Sequence, residues 1–156
     1  MTRARGFSLI ELLVTVAILG LLASGAMTFA DLAVQRNKEQ DLRSGLREIR
    51  QAIDAYKQAS DAKRIARAAD ETGYPRTLSE LTDGVTDITS PKGTKIYFMR
   101  RLPRDPMADP ELSAQASWGL RSYDSPPDQP QAGRDIYDVH SDSPARGLNG
   151  QPYRAW

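Results

Sequence analysis

A single carboxylate stands inside the longest apolar run of this chain. From Phe7 to Ala30 the only ionisable side chain is Glu11. A charge inside a membrane-spanning segment costs about 2.5–3.5 kcal/mol on insertion scales, so it tends to persist only with a partner. Two accounts of Glu11 follow. Either it lies near the lipid headgroups and meets the positive end of the helix dipole, or it waits for a cation to pair with. Other catalytic chemistry finds little support. There is one histidine, His140, and no cysteine. A serine nucleophile would need His140 beside Ser141, Ser143 or Ser122, and the chain has no G-x-S-x-G elbow, phosphate-binding loop or dinucleotide fingerprint. His140 is read as a strand or loop residue that packs or meets solvent.

The apolar run must be placed before anything else. It is about 24 residues long, or about 36 Å as a helix, which matches a bilayer. A secretory signal has a shorter apolar region, and Ala23-Ser24-Gly25-Ala26 only imitates its cleavage site. Arg3 and Arg5 before the run put the N-terminus in the cytoplasm and the polar remainder outside. The 156 residues hold that segment and one modest domain. Mean hydropathy is −0.52 despite the apolar head, so the rest is distinctly polar. The formal charge of +1, with no basic cluster interleaved with aromatics, carries no nucleic-acid signature. Without cysteines, no disulfide staples the domain.

The elements follow from periodicity. Leu42, Leu46, Ile49, Ile53 and Tyr56 recur at helical steps, with Arg43, Arg47, Glu48, Arg50, Asp54 and Lys57 between them. One helix is expected from about Ser8 to about Ala59, extending at most to Ala69. Gly20 and Gly25 would mark a bend, a melted stretch or close packing, and Gly45 weakens the soluble half. Gly73 and Pro75 break the helix. Thr77 and Glu80 form a capping-box pattern for a short helix carrying Leu78 and Leu81, closed by Asp83-Gly84. Three strand candidates follow, "KIYFM", "WGLRSY" and "DIYDVHS". Pro103, Pro106 and Pro110 make the first connection a turn rather than a strand. A small antiparallel sheet packed on the long helix buries both apolar faces. The fold class is therefore α+β, with a long N-terminal helix that is half transmembrane.

The ordered run Gly6, Phe7, Ser8, Leu9, Ile10, Glu11 resembles the class III signal of type IV pilins and type II secretion pseudopilins. The segments "GYP" and "LPRDP" resemble turns of the major pseudopilins, although "SDAKRIARAAD" lengthens the spacing between helix and turn. The resemblance implies a pilin-like fold in three parts: a cytoplasmic leader at 1–6, a transmembrane and filament-core segment at 7–30, and a periplasmic domain at 31–156. It implies cleavage by prepilin peptidase between Gly6 and Phe7, N-methylation of Phe7, and pairing of Glu11 with the Phe7 amine of an adjacent subunit. A carboxylate in an apolar bundle is tolerable when paired in this way.

The implied role is structural. The chain would be a non-enzymatic subunit of a type II secretion pseudopilus, held first in the bacterial inner membrane by a single span and later in a helical homopolymer. Its partners would be further copies, minor pseudopilins, the inner-membrane assembly platform and prepilin peptidase, with no nucleic acid. A type IV pilus subunit and a membrane-tethered periplasmic enzyme or binding domain are the alternatives. The missing disulfide and the "LPRDP" turn favour the pseudopilus.

The same resemblance aligns the tail "DVHSDSPARGLNGQPYRAW" with a calcium loop. Asp142 matches its first acidic ligand, and Asn149 and Gly150 stand where the family has an acidic pair. Asp138 or Asp124 would supplement them. Calcium takes six to eight oxygen ligands, and the lost charge lowers the affinity of such a site. The competing account makes Asp142 and Asn149 turn residues that bond their own backbone, with Tyr153 and Trp156 packing to hold the tail.

Overall fold

A computed structural model describes residues 8–156, with side chains for all of these except 22–29. The expectations at Gly6 and Phe7 lie outside the described residues. The chain parts into two compact units between Asn37 and Lys38.

In the first unit, helix α1 (Leu9–Asp61) begins. Ser8 caps it: its hydroxyl accepts the Glu11 amide at 3.2 Å, and its carbonyl accepts the Leu12 amide at 3.2 Å. Every large apolar side chain described between Leu9 and Leu21 is exposed, from Val14 at 50% to Leu9 at 81%. Among the described residues no helix is long and apolar enough to cross a membrane. The span expected at 7–30 rests in part on 22–29, whose side chains lie outside them.

In the second unit the expected stripe is the core. Leu42, Leu46, Ile49, Ile53 and Tyr56 are all buried, joined by Leu78, Leu81, Trp118, Ile136, Val139 and Tyr153. Gly45 is where the tryptophan comes closest. A Cβ built there would stand 3.3 Å from the Trp118 ring, whose Nε1 donates to the Pro103 carbonyl at 2.9 Å. The indole thus packs into the space that a side chain at position 45 would take.

α1 stops at Asp61 and does not continue towards Ala69. The Arg64 amide donates to the Ala59 carbonyl and the Lys63 amide to the Ser60 carbonyl, each at 2.9 Å. This pair of bonds is a Schellman closure, with Lys63 left-handed at φ 57°. The segment after it folds back: the Ile88 amide donates to the Arg64 carbonyl at 2.8 Å, and the Arg64 guanidinium reaches Asp87 at 2.6 Å. The Thr89 hydroxyl and amide also bond Asp87, and with Arg64 they hold its carboxyl pKa down at about 2, below the ordinary carboxylate range.

The short helix forms, but the capping box does not. α2 (Ser79–Asp83) starts after Leu78, with no side-chain cap. Glu80 instead accepts the Tyr56 hydroxyl at 2.9 Å and the Arg76 amide at 3.3 Å. Glu80 thus serves a donor from α1 and a local amide with the same oxygen, and the bond to Tyr56 satisfies a phenol that burial takes from water. Burial, followed by the Glu80 carboxylate, pushes the Tyr56 hydroxyl well above its ordinary pKa.

The single small sheet expected from three candidates is two separate antiparallel pairs. β1 (Val85–Thr86) pairs with β2 (Lys95–Ile96), and β3 (Trp118–Arg121) pairs with β4 (Asp138–Ser141). "KIYFM" yields only its first two residues. The Phe98 and Met99 amides both donate to the Leu81 carbonyl at 3.0 Å, which turns the chain off the ladder towards α2. The register of the second pair sets Trp118 opposite Ser141 and Gly119 opposite His140. A 3-10 turn (Tyr153–Ala155) closes the chain.

Candidate functional site

Two places carry the sequence's candidate residues: the head of α1 and the C-terminal loop. At the head, the Glu11 carboxylate is exposed and has no hydrogen bond or ion pair among the described residues, while its amide is satisfied by Ser8. The acid is thus surrounded by exposed aliphatic side chains and available to a group from outside this unit.

The C-terminal loop gathers around α1. Glu39 is 5% exposed, and its Oε1 accepts the Leu148 amide at 2.7 Å and the Tyr153 hydroxyl at 3.0 Å. Arg50 donates from Nε to Asp138 at 2.7 Å, and from Nη2 to the Val139 carbonyl at 3.1 Å and the Trp156 carbonyl at 2.9 Å. Tyr153 and Trp156 meet edge to face at 4.9 Å, and the Arg43 guanidinium lies 4.3 Å from the centre of the Trp156 ring. Within the loop, the Gly147 amide donates to the Gln151 carbonyl and the Gly150 amide to the Gly147 carbonyl, both at 2.8 Å. Gly150 takes φ 79°, and a Cβ at Gly147 would strike the Trp156 ring.

Neither Glu39 nor Arg50 was recognised in the sequence as a loop anchor. The signal for Glu39 was its position three residues before Leu42, which puts a carboxylate on the buried stripe rather than on the charged face. For Arg50, no local pattern distinguishes it from its solvated neighbours.

The candidate calcium ligands are otherwise engaged. Asp142 is exposed and stands 3.2 Å from His140 Nε2. Asn149 accepts the Gln151 amide at 3.0 Å, the turn bond of the competing account. Asp138 is shared by Arg50 at 2.7 Å and Arg121 at 3.3 Å, and Asp124 faces Arg134 at 3.5 Å. Among the described residues no three His, Cys, Asp or Glu side chains are grouped so as to hold a metal ion.

His140 and the serines considered with it are held by other contacts. Burial lowers the His140 pKa, against the opposing pull of Asp142. The hydroxyl of Ser141 accepts the Ser143 amide at 3.2 Å, and that of Ser122 accepts the Asp124 amide at 3.4 Å. A cleft of about 800 Å³ lies between Tyr56, Tyr74, Glu80 and Asp135, away from His140. The arginines on it are paired: Arg76 with Glu71, Arg67 with Asp61, and Arg134 with Asp124.

Known proteins resemble this chain in sequence. The prokaryotic N-terminal methylation motif matches residues 1–27. A type II secretion system core protein G of Klebsiella michiganensis is 31% identical over 108 residues, covering 65% of this chain and 67% of that protein. The Klebsiella pneumoniae protein of the same name is 32% identical over 112 residues, covering 68% of this chain and 71% of its own length. This chain belongs to the core protein G family. A third G-family protein, from Pectobacterium carotovorum, is 33% identical over 110 residues, covering 67% of this chain and 62% of its own. No solved structure matches the chain significantly. A G-family chain is a pseudopilin, and the long helix followed by small antiparallel pairs is the α+β fold expected from the sequence.

Proposed function

We propose that this G-family chain is a structural subunit that polymerises into the type II secretion pseudopilus and so assists protein export across the outer membrane. The observation that carries the proposal is the bare apolar surface of α1. Its leucines, isoleucines and valines from Leu9 to Leu21 face outward, each worth roughly 1.5–3 kcal/mol when covered. Lipid covers them in the inner membrane, and further copies of the chain cover them in the filament. Arg3 and Arg5 hold the N-terminus in the cytoplasm, with the domain periplasmic. Prepilin peptidase cuts after Gly6, and Phe7 becomes the methylated N-terminus. Glu11, exposed and unpaired among the described residues, then receives the Phe7 amine of a neighbouring subunit. Minor pseudopilins and the inner-membrane platform start and drive the growth.

Mass spectrometry of the mature chain tests the processing. Gly6→Leu should leave a membrane-bound precursor that retains "MTRARG", and a normally trimmed Gly6→Leu chain would refute the cut. Glu11→Ala should insert and be trimmed as the wild type, because the span becomes more apolar, yet build few filaments. Filaments of wild-type length and number from Glu11→Ala would remove the pairing from the account.

A further inference from the structure

We infer that the C-terminal loop of this pseudopilin is locked by charges carried on α1, Glu39 and Arg50, and that it holds its fold without calcium. The two residues lie about three turns apart on one face of the helix, at 3.6 residues per turn. Their chemistry is complementary. Calcium organises a loop by drawing oxygen atoms to a central cation. In this chain Arg50 already supplies a positive group to three oxygens: the Asp138 carboxylate, the Val139 carbonyl and the Trp156 carbonyl. It thereby ties β4 and the last residue to the helix.

At the other end of the loop the polarity is inverted. Glu39 is a buried anion that draws in two donors, the Leu148 amide and the Tyr153 hydroxyl. These donors bracket the segment containing Asn149 and Gly150, and one carboxylate oxygen satisfies both, so this end of the loop is tied to the helix by the protein's own groups. Asn149 spends its side-chain oxygen on the Gln151 amide, so the turn is closed from within. Charge-assisted bonds of this kind are roughly twice as strong as neutral ones. They offset the ordering entropy of a loop rich in glycine and proline.

The lock belongs to the single subunit, so it stands whether or not the chain polymerises. Hydrogen exchange on the full chain in detergent, with excess calcium chloride or excess EGTA, tests it. Exchange of the Leu148 amide and the melting temperature should be the same in both buffers. Glu39→Ala should speed that exchange about ten- to a hundredfold in both, as expected for losing a bond to a charged group. If Glu39→Ala does not fold, Glu39→Gln, which keeps an acceptor oxygen and loses the charge, should still speed it in both buffers. Slower exchange or higher melting in calcium, abolished by Asp142→Ala, would overturn the inference in favour of the metal. Wild-type exchange in the Glu39 variants would overturn it as well.

Discussion

Replacing Gly45 separates the two reasons for a glycine in mid-helix. On propensity alone, any larger residue there except proline should stabilise α1, alanine by about 0.8–1.0 kcal/mol. The Trp118 ring opposes this, because a Cβ at Gly45 would already stand 3.3 Å and 3.4 Å from two of its carbons, and 3.7 Å from the Pro103 Cβ. Alanine needs a shift of a few tenths of an ångström, so its gain and its cost nearly cancel. We expect Gly45→Ala to fall within about 0.5 kcal/mol of wild type, as small changes do when the neighbours can give.

Leucine at the same position places γ and δ carbons inside the indole. Overpacking of this sort costs about 1–3 kcal/mol. Displacing Trp118 also breaks its bond to the Pro103 carbonyl, worth about 1 kcal/mol. Against the propensity gain, the net loss for Gly45→Leu is about 2 kcal/mol. At roughly 2–4 °C per kcal/mol for a chain of this size, the melting temperature should fall by about 4–8 °C. Thermal unfolding of the full chain in detergent, followed by near-ultraviolet circular dichroism, reads the stability. Tryptophan emission should shift to the red in Gly45→Leu alone. A Gly45→Leu protein that melts at or above the wild-type temperature with unshifted emission would show that the Trp118 contact does not set the residue at position 45.

His140 gives a pH signature whose sign follows from its burial. Its folded pKa lies below the ordinary histidine value of about 6.5, so the unfolded chain binds the proton more readily. This contribution is fully present above about 6.5 and is lost as pH falls through the folded pKa. His140→Gln should flatten the slope of melting temperature against pH in that window, and an unchanged slope would assign it to other groups. Lys63, exposed and left-handed at the end of α1, is a site for gain. Lys63→Gly relieves roughly 1 kcal/mol of left-handed strain and returns part of it as unfolded-state entropy, for a net gain of about 0.5 kcal/mol. Urea titration should show a higher midpoint, and a lower one would mean the Lys63 side chain has a role the backbone does not explain.

The sequence by itself determined what short-range pattern can express. The Leu42–Tyr56 stripe specified one long helix and its buried face, because residues three and four apart share a side of any α-helix. Pro103, Pro106 and Pro110 kept strands out of the connection, because a proline ring fixes φ and removes a donor, whereas the break expected at Gly73 and Pro75 comes earlier, at Asp61. The head, from Gly6 to Glu11, carried the family in its order of residues. Only the tertiary structure decided the partners of single polar groups. Glu80 reads as half of a capping box until Tyr56 arrives from α1 and takes its carboxylate. "KIYFM" reads as a strand until the Leu81 carbonyl accepts two of its amides. Glu39 and Arg50 read as ordinary helix charges until a loop more than a hundred residues away meets Glu39, and the last carbonyl of the chain meets Arg50. Each outcome turns on which buried donor or acceptor would otherwise be left without a partner. That competition is settled between segments distant in sequence, where no local period records it.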